Sequence, residues 1–193
     1  MLRVPGYVLR VKLKRKNFSI CGNKFRQNIR STAMIKKIIS GGQPGVEQAA
    51  LEAAIKLDIP HAGWTYKDKK TEDGISPEEY NLKEIDNPSY FERLEKNIID
   101  AQGTVILTFG QLQMGTKSVR QLADKHKKPC LPLDLKECTL NHAISSIRKW
   151  MDNHAIEEIF FTGSKPIAAP NIHEVVILII EGIYQVEREY KKF

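Results

Sequence analysis

The stretch MIKKIISGGQPGVEQAALEAAIKL, residues 34–57, decides the fold. A short apolar run at 35–40 passes through Gly-Gly-Gln-Pro-Gly into a segment where Val46, Ala49, Ala50, Ala53 and Leu57 recur at helical spacing. Strand, glycine loop and helix in that order form the opening βα unit of a parallel sheet. Gly41, Gly42 and Gly45 allow a tight turn and a close approach of backbone to a ligand. The helix that follows offers unpaired N–H groups and the positive end of its dipole, a combination that suits a phosphate or another anion. Pro44 removes one donor but presets the φ of a helix entry. Gln43 can supply a side-chain amide in its place. The spacing is neither that of a dinucleotide fingerprint nor that of a Walker loop. A tight turn that binds nothing is the competing reading.

Outward from this unit the chain keeps alternating. Apolar runs at 59–64, 103–109, 129–135 and 157–163 predict further strands. Amphipathic segments at 89–101, 117–128, 140–153 and 171–190 predict helices, with Phe91, Leu94, Ile98 and Ala101 aligned on the first of these. The near-continuous apolarity of GTVILTF (103–109) is that of a strand covered on both faces. The pattern predicts an α/β three-layer Rossmann-like sandwich with a mainly parallel sheet of about five strands. Residues 65–87 are polar, with little periodicity, and read as a long functional or mobile loop.

Charge divides the chain. The formal net charge is +7, yet residues 1–33 hold nine Lys and Arg and no acid, so the remainder carries −2. The basic leader is readable as a nucleic-acid or anionic-surface arm, or as a targeting segment. The simplest reading makes it an extension, disordered or packed as an accessory hairpin, in front of a single domain at 34–193 with Met34 at its start. Three sparse cysteines without a C-x-x-C pair suit a reducing cytoplasm. The five histidines show no metal-ligand spacing, and VVILII (175–180), bounded by glutamates, is too short to cross a membrane. That run is read first as core and second as a subunit contact.

In parallel sheets ligands gather beyond the carboxyl ends of the strands, so the βα loops are the candidate site. Gly115-Thr116 opens a later helix, where Thr116 can cap the helix or bond a phosphate oxygen. Glu72, Asp73 and Gly74 form either a solvated turn or a ligand-facing carboxylate pair. Trp64 at a strand end is placed to pack or to stack on a flat heterocycle, and His61 reads as structural. No nucleophile–base set assembles from the sequence.

The ordered strings IISGGQPGVEQAALEAAIKLDIPHAGW, TEDG, YFERLEKNIIDAQGTVIL, the Gly-Thr loop and KPCLPLDL resemble the molybdenum carrier (molybdenum cofactor carrier) family over roughly 34–183. That family is a Rossmann-like relative of the Lonely-Guy-type phosphoribohydrolases. The resemblance implies a pterin phosphate ligand, molybdenum cofactor or molybdopterin, with its phosphate on the helix end at 42–46 and its pterin near the long loop and Trp64. Carried over, it implies binding by Ser40, Gly41, Gly42, Gln43, Gly45, Glu72, Asp73, Asn97, Gly115, Thr116 and Lys165. It also implies a homo-oligomer. The family loop runs Gly-Gly-Gln-Thr-Gly-Val-Asp-Arg; here Pro44, Glu47 and Gln48 stand at the Thr, Asp and Arg positions, and Met114 stands where a glycine is usual. Lys165 keeps a positive charge in the last loop without a guanidinium fork. The relatives that hydrolyse nucleotides carry a Glu where this chain has Val119, which cannot serve as acid or base. A nucleotide-binding module is the alternative to a carrier, a phosphoribohydrolase-like enzyme comes next, and nucleic-acid binding through the leader ranks last.

Overall fold

Side chains of the central strands are buried on both faces in turn, and this generates the architecture. Ile38, Val105, Leu107, Ile159 and Phe161 pack on one face of the sheet, and their neighbours Ile39, Ile106 and Phe160 pack on the other. Each strand therefore needs a helix layer on both sides. A computed structural model describes residues 33–71, 74–75, 78–86, 89–110 and 114–190, which lie in the compact unit Ser31–Phe193. The leader, apart from Ala33, lies outside the described residues, as do Glu72 and Asp73.

The elements run β1 (Lys37–Ile39), α1 (Val46–Lys56), β2 (His61–Tyr66), β3 (Lys70–Thr71), β4 (Gly74–Ile75), β5 (Leu82–Ile85), α2 (Tyr90–Asp100), β6 (Gly103–Thr108), α3 (Met114–Lys125), β7 (Cys130–Asp134), α4 (Leu140–His154), β8 (Glu158–Gly163) and α5 (Ile172–Tyr190). Six strands form one parallel sheet in the order β5-β2-β1-β8-β6-β7. The short antiparallel pair β3-β4 stands apart. Val46, Ala49, Ala50 and Ala53 of α1, Ile147 and Met151 of α4, and Val176, Ile179 and Ile180 of α5 cover one face. Leu94 and Ile98 of α2 and Val119 and Ala123 of α3 cover the other. The three-layer Rossmann-like expectation holds.

Three details differ from the sequence reading. The sheet has six strands rather than about five, because β5 lies inside the stretch read as a loop. As an edge strand beside β2 it buries only Leu82 and Ile85, with Lys83 and Glu84 exposed between them, so it leaves no alternating signature. Helix α3 begins at Met114, which puts Gly115 and Thr116 inside its first turn rather than ahead of it. Phe91 is 57% exposed rather than part of the α2 stripe. Its ring makes an edge contact with the Tyr90 ring, 5.7 Å between centres, in place of a seat in the core.

Strand β1 is short, and its end shapes everything above it. Ile39 pairs with Ala62, and the Ser40 N–H donates to the Ala62 carbonyl at 3.0 Å. Strand β2 continues to Tyr66 with no neighbour on that side. The Asn97 carboxamide takes the missing strand's place: its Oδ1 accepts from Trp64 N–H at 2.9 Å, and its Nδ2 donates to the Trp64 carbonyl at 3.0 Å. Gly63 is required at this junction, since a Cβ there would collide with the Ser40 carbonyl oxygen. Gly63→Ala is therefore expected to cost about 1–3 kcal/mol or more as an overpacking change. Urea unfolding followed by circular dichroism measures it, and an unchanged midpoint would contradict the packing described.

Candidate functional site

The order β1-β8-β6 brings three βα loops side by side at the carboxyl edge. Ser164, just after β8, joins them. Its carbonyl accepts from Val46 N–H at 3.3 Å, its N–H donates to Leu107 O at 2.9 Å, and its Oγ accepts from Phe109 N–H at 3.3 Å. Gly45 adopts φ 98° and has no side-chain cap for α1. A Cβ on it would strike the Ser164 carbonyl and lie 3.0 Å from Lys165 Cα, so glycine is needed where the first and third loops touch. Gly41, Gly42, Gln43, Gly45 and Lys165 thus gather in one region.

Ser40 and Asn97 are committed to the scaffold. The fully buried Ser40 hydroxyl lies 2.9 Å from Glu47 O and 3.0 Å from Phe161 O, and Asn97 bridges α2 to β2. Gly115 sits in the opening turn of α3, where a Cβ would lie 2.8 Å from the Tyr90 hydroxyl. Thr116 shares that turn, and Lys165 stands exposed in the loop after β8. Trp64 does not face the loops: its indole N–H donates to Asp100 at 2.8 Å, at the far end of α2, and Lys96 Nζ lies 4.3 Å from its ring centre. The indole is thus held against the C-terminal half of α2, which agrees with the packing reading of Trp64. His61 is structural, its ring nitrogens at 3.1 Å from Ile59 O and 2.9 Å from Glu79 O.

The space beyond the end of β1 is filled by residues the sequence reading did not single out together. Arg93 Nη1 donates to Glu47 Oε2 at 2.7 Å and Nη2 to Oε1 at 3.4 Å. Both side chains are buried, Arg93 to 2% exposure and Glu47 to 7%. Thr162 Oγ1 donates to Glu47 Oε1 at 2.8 Å, and the Gln43 N–H donates to Oε2 at 3.3 Å. The guanidinium carbon lies 5.2 Å from the Tyr66 ring centre and 5.9 Å from that of Tyr90, so aromatic faces complete the enclosure. Gly41 is flat against it; a Cβ there would collide with Arg93 Nη1.

Electrostatics follow from this packing. Burial opposes the Arg93 charge, but the adjacent Glu47 carboxylate outweighs it and holds the guanidinium pKa above the ordinary arginine value. Burial, then the charge of Glu47, pushes the Tyr90 hydroxyl above the usual phenol value, so it remains a hydrogen-bond donor at neutral pH. One signal for this cluster was available. Arg93 and Asn97 lie four apart on the helix face that also carries Leu94 and Ile98, an unusual place for a charge unless it is paired inside.

A parallel sheet clad by helices on both faces, with glycine-bearing loops meeting at its carboxyl edge, defines a Rossmann-like α/β protein. The chain belongs to the circularly permutated YpsA SLOG family, whose profile it matches over residues 38–184. It shares 37% identity and a TM-score of 0.75 with the crystal structure of a "putative molybdenum carrier protein" from Syntrophus aciditrophicus SB, over 78% of this chain and 96% of that one. The resemblance read from the sequence is borne out. A search of curated proteins returned no match. Among the described residues no helix is long and apolar enough to cross a membrane, and no three His, Cys, Asp or Glu side chains are grouped to hold a metal ion.

The Glu47 environment makes a direct prediction. Thr162→Val removes a hydroxyl donor from a buried carboxylate and is expected to cost about 1.5–3 kcal/mol, the range for hydrogen bonds to charged groups. Equilibrium urea denaturation reads this loss, and a change below about 0.5 kcal/mol, the size of an ordinary surface substitution, would count against the contact.

Proposed function

We propose that this protein binds and carries a small phosphate-bearing molecule of the molybdenum cofactor class, molybdopterin or the cofactor itself, at the carboxyl edge of the sheet. The supporting observation is the 37% identity with a protein named as a molybdenum carrier, spanning 96% of that protein. The loops bearing Gly115-Thr116 and Lys165 supply the polar backbone and charge for the ligand's acidic group, and Gly41–Gly45 line the same edge, with Glu72 and Asp73 as further candidates. The opening of α3 offers backbone N–H groups and the positive end of the helix dipole, with the Tyr90 hydroxyl close to Gly115, a combination that suits an oxyanion. Residence in the cytoplasm as a homo-oligomer belongs to the same reading, and the free thiols of Cys130 and Cys138 agree with a reducing compartment.

The alternatives are a nucleotide-binding module and a phosphoribohydrolase-like enzyme. Against hydrolysis stands Val119, buried in the apolar cluster with Ile106 and Leu94 where the relatives place a glutamate. Nucleotides and pterins differ in the heterocycle rather than in the phosphate, so a thermal-shift comparison of the two classes separates a carrier from a nucleotide module.

The test is to load the full chain with molybdopterin under anaerobic conditions, remove free ligand and quantify what remains by mass spectrometry. Wild type is expected to retain it. Gly115→Asp, which puts a carboxylate at the α3 opening, is expected to lose about tenfold or more in affinity, equivalent to one charge-assisted hydrogen bond. Equal retention by the two proteins, or a larger thermal shift with AMP than with molybdopterin, would overturn the reading.

A further inference from the structure

We propose that Glu47 is the specificity determinant of the first glycine loop. Its carboxylate is an internal anion seated where a ligand phosphate would otherwise lie, and Arg93 serves that carboxylate rather than the ligand. This rests on the reading that the edge receives an acidic ligand, and it says which loop refuses the acidic group.

Several donors of the loop are already committed, those of Gly41, Gly42 and Gly45 excepted. The Gln43 N–H points to Glu47 Oε2 at 3.3 Å, and the Val46 N–H to the Ser164 carbonyl at 3.3 Å. Pro44 has no N–H. The Ser40 hydroxyl is engaged with backbone carbonyls on the buried side. The remaining polar groups, the Thr162 hydroxyl and both terminal nitrogens of Arg93, converge on the same carboxylate. Gly41, which would let a phosphate approach the backbone, is covered by the guanidinium itself. A phosphate arriving here would meet a buried negative charge and no uncommitted donor among these groups.

The seat is nevertheless built for an oxyanion. Removing the carboxylate alone would leave Arg93, Thr162 and the Gln43 N–H facing a space about the size of acetate. A ligand with an acidic group is therefore directed to the loops after β6 and β8. The group that meets the first loop is neutral or a hydrogen-bond donor.

Anion rescue tests this in the full chain. Glu47→Ala is expected to be stabilised saturably by acetate, with a rise in Tm of about 4 °C or more, and not by acetamide, which has the same shape without the charge. Wild type and the double variant Glu47→Met/Arg93→Met should show neither response. A rise shared by wild type, a rise given equally by acetamide, or no rise at any acetate concentration would overturn the proposal. A second measurement does not depend on any variant folding. In amide NMR of wild type titrated with inorganic phosphate, the N–H signals of Gly41, Gly42 and Gly45 should stay in place; saturable movement of these signals would overturn it. Acetate rescue in a protein that fails to retain molybdopterin would defeat the carrier reading and leave the Glu47 assignment standing.

Discussion

The ion pair between Glu47 and Arg93 is the constraint on which the carboxyl edge depends. It joins the first turn of α1 to α2 across the end of β1, at 2.7 Å and almost wholly out of water. Two charges buried without support would cost several kcal/mol each. Here Thr162, the Gln43 N–H and two tyrosine rings provide that support, and each comes from a different segment. The pair therefore fixes β8, the first glycine loop, β2 and α2 relative to one another. A hydrophobic plug of equal volume would fill the space without setting these directions.

This arrangement follows from the early end of β1. A longer β1 would pair with Trp64 and occupy the region above Ser40. Its absence leaves β2 with unpaired backbone groups, which Asn97 satisfies, and leaves a gap, which Arg93 and Glu47 fill. Asn97 and Arg93 lie one helical turn apart, and the Asn97 Nδ2 also donates to the Arg93 carbonyl at 3.0 Å. One face of α2 thus closes both the ladder and the cavity. The chain fills this gap with its own pair of charges.

Much of the fold was legible because its signals are local. The βα alternation, the doubly covered strands and the glycine entry to α1 all show in composition and period. Strand β5 was not legible, since an edge strand with two buried residues carries too little pattern. The opening of α3 was placed late because the glycine of Gly115 reads as loop, although a first helical turn tolerates it. At the site, sequence marked the loop that carries Glu47 and the helix that carries Arg93, but not their meeting. They are 46 positions apart and meet only where α2 packs on the sheet beside β2. Phe91 took the inward place in the sequence reading because hydrophobic spacing has no knowledge of where the sheet ends.

The central claim is that Glu47 and Arg93 act as one buried unit rather than as two independent ligand-binding groups. A double-mutant cycle with Glu47→Met, Arg93→Met and the combination, read by urea unfolding, tests it most directly. Each single variant should lose about 3–5 kcal/mol by stranding a buried charge, with the double variant recovering most of that loss. Additive losses, with a coupling within about 0.5 kcal/mol of zero, would contradict the account.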